Sequence, residues 1–457
     1  MMVPVLSLLT VGLNNGVGRK PPMGWSSWFA LGCSASMNAS SIKIAADLLV
    51  STGLAARGYE YVNLDDCYIA PGAAGRNATT GRLVPDPKLF GGEDGIRSLS
   101  AYVHSRKLKF GLCPMCGTRT HDPRPYYGTA LIQRSHVRAP LQADTDRGSE
   151  TCEHRAGSRY HESGDAQTYA DWEVDFVKED SCAAWQSPDK AIPEYTLMRD
   201  ALNATGRPIF FALCGWHDWC APPMPSLNYS GGYSLANSAR IDTDDNSWAG
   251  VLAASDVMAR LTPYARPGYW NDPDLLLSVD FLGRLRVSEL QSRAQFSLWC
   301  ILSAPLLISG SLPHLSAFTL QTYSSADAIA INQAGGAQGA RLVGSDLLPC
   351  QGRNLTNCTA TWGKNTSTPG GALSSWAVLF INAGALPAQV GCDGACLALL
   401  GLRSSSLPLT VKDVWAGTSS TMSQLEIAST LLPPFGGHRL LSLAGGPSTN
   451  QEPSAAP

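Results

Sequence analysis

Between residues 20 and 315, eight short apolar segments recur, and the stretches separating them carry apolar residues at helical rather than alternating spacing. Their cores are PMGW, YVNLDD, KFGLCP, DFVKED, PIFFALC, SARIDTD, GYWNDPD and PLLISG. Strands that alternate with helices build parallel sheets, and eight of them predict a closed (β/α)8 TIM barrel. Ile42, Ala45, Ala46 and Leu49 illustrate the helical spacing, with Gly53 placed to end that helix. Ile96, Leu99 and Val103 mark a second helix, and Tyr169, Trp172 and Phe176 lead into the fourth strand. An open doubly wound sheet is the competing architecture, but no G-x-G-x-x-G follows the first strand.

The predicted barrel spans residues 14–318, with an Arg-, Pro- and Asp-rich insertion near 119–150. Beyond it the texture changes to SSWAVLFINAG, LTVKDVWAG and HRLLSL, short alternating runs separated by Gly, Ser and Pro. This pattern predicts a C-terminal antiparallel β-sandwich over 319–445, and residues 446–457 read as a disordered tail.

The 34 Lys+Arg against 37 Asp+Glu form no long basic stripe, so nucleic acid is not an expected partner. No later stretch reaches the roughly 18 apolar residues of a membrane span, and membrane insertion is not expected. The opening MMVPVLSLLTVGL has signal-peptide length but no basic n-region and no A-x-A site; residues 1–13 are read as a signal peptide, with a buried N-terminal strand as the competing reading. Seven N-x-[ST] sequons, at Asn38, Asn77, Asn203, Asn228, Asn354, Asn357 and Asn365, accompany 13 cysteines. Together they point to an oxidising secretory route with an extracellular, vacuolar or lysosomal destination. Cys113 and Cys116 form a C-x-x-C without partners at zinc-finger spacing, which favours disulfides over zinc.

Polar residues gather at the carboxyl ends of the predicted strands: Asp65 and Asp66, Lys178 and Asp180, Cys214, Arg240 and Asp244, Asp272 and Asp274. In such a barrel those ends converge on one mouth. Carboxylates with one Lys and one Arg, flanked by Trp25, Trp28, Trp216 and Trp270, suit a sugar: indole faces cover its C–H face while carboxylates accept from its hydroxyls. Two carboxylates at the right separation would perform retaining glycoside hydrolysis. A metal is the rival use of so many aspartates, but no His lies beside them in a ligand-like pattern and no hard-cation loop is present, so no metal or other cofactor is expected. No G-x-S-x-G elbow supports a serine hydrolase.

These motifs resemble the α-galactosidase (melibiase) family of retaining glycosidases, glycoside hydrolase family 27. RKPPMGWSSWFALGC is similar to the family's P-P-M-G-W-N-S-W, YVNLDDCY to its I-D-D-C-W, and DAQTYADWEVDFVKEDSC to its D-A-x-T-F-A-x-W-G-V-D-x-x-K-x-D-x-C. NSARIDTDDNSW, PGYWNDPDLL and AIAINQAGGAQG continue the likeness in order. The resemblance implies hydrolysis of terminal α-galactosyl residues, with Asp180 as nucleophile and Asp244 as general acid/base. Lys178 and Arg240 would keep the site charged and oriented. Asp65 and Asp66 would grip the 4- and 6-hydroxyls, and Trp25, Cys214, Trp216 and Asp274 would contribute further sugar contacts. It also implies the bridges Cys33–Cys67, Cys152–Cys182 and Cys392–Cys396. Cys214 with Cys220 and Cys350 with Cys358 are candidate pairs by proximity alone, which leaves Cys113, Cys116 and Cys300. A homodimer is left open.

Three departures from the family pattern stand out. CGWHDW places Gly215 where the galactosidases usually carry a Glu that contacts the sugar 2-hydroxyl, a change expected to open space beside C2. Strand three carries Cys113 and Met115 in place of Y-x-D, and the insertion near 119–150 could reshape the mouth. Sister specificities, α-N-acetylgalactosaminidase or β-L-arabinopyranosidase, and a galactose-binding protein without turnover are the alternative readings.

Overall fold

The structure, a computed structural model, describes residues 13, 15–112, 151–181, 187–215, 217–351, 358–368 and 373–447. Most of the expected signal peptide, the insertion near 119–150, Cys113, Cys116, Cys182 and Trp216 lie outside the described residues.

Nine parallel strands form the first sheet: β1 (Met23–Ser26), β2 (Tyr61–Leu64), β3 (Lys109–Leu112), β4 (Phe176–Asp180), β5 (Phe210–Cys214), β6 (Ser238–Arg240), β7 (Trp270–Asp272), β8 (Leu276–Leu277) and β9 (Leu306–Ser309). Their spatial order is β7-β6-β5-β4-β3-β2-β1-β9-β8. The two ends of this order, β7 and β8, are consecutive pieces of chain separated only by Pro273, Asp274 and Leu275. The sheet therefore closes on itself, and the nine strands are the eight of a (β/α)8 barrel with the seventh split. Pro273 accounts for the split, since proline has no N–H for the ladder, and Asp274 follows it at φ 88, outside strand geometry.

Helices cover the barrel. Downstream of β1 come α1 (Trp28–Leu31) and α2 (Ala39–Ser51), and after β2 come α3 (Pro87–Phe90) and α4 (Glu93–Ser105). Then follow α5 (Glu162–Asp171), α6 (Pro188–Ala204), α7 (Trp248–Leu261) and α8 (Glu289–Ile301). In α2 the four residues at helical spacing, Ile42, Ala45, Ala46 and Leu49, are the buried ones, and Asn38 caps the helix by accepting from the Ser41 N–H.

After α9 (Ala317–Tyr323) and α10 (Ala326–Gln333) the chain forms antiparallel β structure: β10 (Ala340–Gly344), β11 (Thr359–Asn365), β12 (Leu373–Asn382), β13 (Ala388–Cys392), β14 (Leu409–Asp413), β15 (Ser419–Met422), β16 (Ile427–Leu432) and β17 (Gly437–Pro447). Six of these make one sheet in the order β10-β11-β12-β17-β14-β15, and β13 pairs with β16. Val378, Phe380, Val390, Ile427, Leu441 and Leu443 are buried together in their shared core. Strand β17 runs two residues into the segment expected as tail, and the rest of that segment lies outside the described residues.

The buried Lys364 of β11 ties this module to the barrel. Its Nζ donates to Ile331 O at 2.6 Å, to Asn332 O at 3.3 Å and to Ser303 Oγ. Burial pulls its pKa down to about 7.

Disulfides join Cys33–Cys67, Cys350–Cys358 and Cys392–Cys396, and Cys152 is also disulfide-bonded. Cys214 and Cys220 are both free thiols, which overturns the pairing suggested by their proximity. The reason is side-chain direction: the Cys214 thiol faces Arg240 (Nη1 to Sγ 3.7 Å), whereas Cys220 Sγ lies 3.6 Å from where a Cβ on Gly215 would stand.

Candidate active site

Alternation along β4 places Phe176, Lys178 and Asp180 on one side of the strand. Phe176 and Lys178 line a cavity inside the barrel, with Ser26, Asn63, Asp65, Arg240, Asp272 and Asp274 around it. The polar ending of DFVKED is thus the part of β4 that reaches the mouth.

Asp180 ends β4 and is 2 % exposed. Its Oδ1 accepts from the Ser181 N–H at 2.7 Å, while Oδ2 is buried with no hydrogen-bond partner among the described residues. Burial pushes the Asp180 carboxyl up to about 7, against the pull of Lys178 and the Ser181 N–H; the charge of Asp244 pushes it further up. Two carboxyls close enough for one to raise the other, with a cation beside them, are the arrangement that two-carboxylate chemistry needs.

Arg240 ends β6 and holds the other side of the site. It pairs with Asp274 Oδ2 at 2.7 Å and Asp244 Oδ1 at 3.2 Å. Arg240 and Asp274 are buried, whereas Asp244 is half-buried in the loop that follows β6. Asp274 is pushed up to about 6 by burial, with Arg240 opposing that shift. Its Oδ1 also accepts from Leu275 N and its Oδ2 from Asp245 N, both at 2.7 Å. These bonds hold Asp274 in its left-handed conformation.

The paired aspartates after β2 divide their work. Asp65 lines the cavity and receives Ser26 Oγ at 3.4 Å. Asp66 is absent from the lining and is wrapped by protein donors: Cys67 N at 2.5 Å, Thr151 Oγ1 at 3.1 Å and Glu153 N at 3.1 Å. Burial pushes it up to about 7 despite those bonds.

Trp25, on β1 next to the cavity-lining Ser26, is as buried as Asp65 and Asp180, and its Nε1 donates to Gly310 O at 2.9 Å. Of the tryptophans expected at the mouth, Trp270 is positioned otherwise. Trp270 is the first residue of β7 and donates to Gly18 O at 2.7 Å, at the amino end of the strands and away from the mouth. The sequence shows which strand a residue belongs to, but an aromatic at the strand's start faces the opposite end of the barrel. Cys214 stays where it was expected, its buried thiol beside Asp180 and Arg240, and burial keeps it protonated.

Asn63 and Ser26 were missed. Asn63 stands two positions before Asp65 on the same strand face, so period-two alternation from Asp65 would have found it. Among the described residues, Cys33, Cys67 and Glu153 are the one metal-sized His/Cys/Asp/Glu cluster, and its sulfurs are bonded to each other, which leaves no thiolate to ligate.

Residues 20–131 and 129–334 match the family model described as Alpha galactosidase A. The chain belongs to the α-galactosidase family. It is 34% identical over 409 residues to Alpha-galactosidase 3 of Arabidopsis thaliana, spanning 88% of this chain and 77% of that one. It is 36% identical over 344 residues to human Alpha-N-acetylgalactosaminidase, spanning 72% of this chain and 73% of that one. The fold is similar to that of α-galactosidase I from Mortierella vinacea, with a TM-score of 0.73 at 24% identity over 94% of this chain and 98% of that one. As a member of the α-galactosidase family, the chain is a glycosidase. Among its described residues no helix is long and apolar enough to cross a membrane.

Proposed function

We propose that the protein is a retaining exo-glycosidase that removes terminal α-D-galactosyl residues from oligosaccharides or glycoconjugates. The observation that carries this reading is the meeting of Asp180 and Asp244, from the ends of β4 and β6, around Lys178 and Arg240. Asp180 attacks the anomeric carbon, and its buried, unpartnered Oδ2 is the oxygen available for it. Lys178 favours the ionised form that attack requires. Asp244, half-exposed and held by Arg240, donates a proton to the leaving oxygen and then withdraws one from the water that releases the sugar. Asp65 and Arg240 hold sugar hydroxyls within the cavity. The disulfides and the exposed sequon residues Asn203, Asn228 and Asn365 support a secretory route.

A second reading, action on a 2-acetamido sugar, draws on Gly215, which brings no side chain to the 2-hydroxyl, and on the human relative. Hydrolysis of nitrophenyl α-galactoside, α-N-acetylgalactosaminide and β-L-arabinopyranoside separates these readings. Preference for the α-galactoside is the expected result; preference for either of the others replaces that specificity.

Asp244→Asn supplies a further prediction. Glycosylation from a nitrophenyl leaving group needs little acid assistance, so its rate falls far less than that of a natural disaccharide, by roughly 10-fold against roughly 1000-fold. Equal losses on both substrates would remove Asp244 from the acid role.

A further inference from the structure

The direction in which Gly215 faces the protein changes the meaning of that residue. A Cβ built there would meet Tyr195 Oη at 3.2 Å, Cys220 Sγ at 3.6 Å and Ser181 Oγ at 3.8 Å. A side chain at 215 would therefore start out against Tyr195, which α6 carries. Tyr195 and Ser181 are both buried.

Their hydrogen bonds form a directed chain. Ser181 Oγ donates its single proton to Cys214 O at 2.9 Å. The 2.8 Å contact between Ser181 Oγ and Tyr195 Oη must then have Tyr195 as donor. Burial holds the Tyr195 hydroxyl in its neutral form, consistent with a donor. Ser181 is the residue after Asp180, and its backbone N–H holds Asp180 Oδ1 at 2.7 Å. The chain Tyr195 to Ser181 to Cys214 thus fixes the ends of β4 and β5 together at the carboxylate proposed to attack.

We infer that Tyr195 is a positioning residue for Asp180, acting through Ser181, and that Gly215 is the clearance its hydroxyl requires. This rests on Asp180 being the nucleophile. In this arrangement the residue at 215 shapes the reaction rate through Tyr195 rather than by touching the sugar.

The test uses the full-length protein and nitrophenyl α-galactoside, or whichever nitrophenyl glycoside it cleaves best. Tyr195→Phe removes only the hydroxyl, and is expected to lower kcat roughly 10-fold with KM within roughly 2-fold. The acidic limb of its kcat/KM profile moves to higher pH, because a loosened Ser181 N–H stabilises the Asp180 carboxylate less. Ser181→Ala gives the same pattern, and the double variant loses no more than either single one. Gly215→Ala costs activity in the wild type, since its Cβ presses on Tyr195 Oη, and costs nothing further in Tyr195→Phe.

Tyr195→Phe with unchanged kcat and an unchanged acidic limb overturns the inference, as does an additive double variant. A lowered melting temperature with both kinetic readouts intact also overturns it, because that outcome is purely structural. Asp180→Asn is assayed alongside: if that variant still turns over, the nucleophile assignment fails on its own account, whatever Tyr195→Phe does.

Discussion

Asp180→Asn is expected to lose about a thousandfold or more in kcat while its melting temperature at neutral pH stays level or rises. The kinetic loss follows from removing the oxygen that forms the glycosyl bond. The stability gain follows from burial: Asp180 is a carboxyl with one oxygen unpaired, held up to about 7 by its surroundings, and a neutral amide removes the cost of its charge. The pH dependence sharpens the prediction. A carboxyl whose folded pKa is raised contributes stability that is full below its unfolded pKa of 3.8 and is lost as pH rises through the folded value. Asp66 and Asp180, both near 7, and Asp274, near 6, therefore make the wild type more stable at pH 4 than at pH 8. Asp180→Asn removes one of these three contributions, so its melting temperature varies less steeply over that window. A variant with wild-type turnover ends the nucleophile assignment, and one with a steeper pH dependence of melting contradicts the burial argument.

The barrel was legible because its strands are short, apolar and polar at one end, a pattern carried within each segment. All eight cores correspond to strands of the sheet. The division of the seventh was the exception: Pro273 was visible, but the positive φ of Asp274 depends on the Leu275 and Asp245 N–H groups that its carboxyl accepts. The polar mouth was legible for the same reason as the barrel, since Lys178, Asp180, Arg240 and Asp274 sit at strand ends. Direction across the chain was not legible. Cys214 and Cys220 are six positions apart yet face different surroundings, and Trp270 belongs to the right strand at the wrong end. At Gly215 the sequence shows the side chain that is lacking but not the nearness of Tyr195, which approaches from a helix some twenty positions earlier. Such meetings are set by how α6 packs on the sheet, and no local pattern encodes them.

Arg240→Met should cost about 3–5 kcal/mol of stability at pH 8, as well as most of the activity. Arg240 is 3 % exposed, and besides Asp274 and Asp244 its guanidinium reaches the carbonyls of Thr243 at 3.2 Å and Asp242 at 3.5 Å. Its charge opposes the burial that raises Asp272, Asp274 and Asp245. Methionine fills much of the volume but leaves those carboxyls facing one another, with Lys178 as the cation remaining to Asp272 and Asp274. Asp274 then binds its proton more tightly, and the folded state recovers what it lost wherever the solution supplies that proton. The penalty is accordingly small near pH 4 and grows as pH rises past 6. Thermal melts of wild type and Arg240→Met from pH 4 to pH 8 measure this directly, and a penalty that stays constant with pH would mean that Arg240 acts by packing rather than by charge. Activity is not recovered along with stability at low pH, because Asp244 still lacks the guanidinium that holds its Oδ1. A variant stable but inactive at pH 4 to 5 would thus separate the two tasks of Arg240: compensating the buried carboxylates, and orienting the acid.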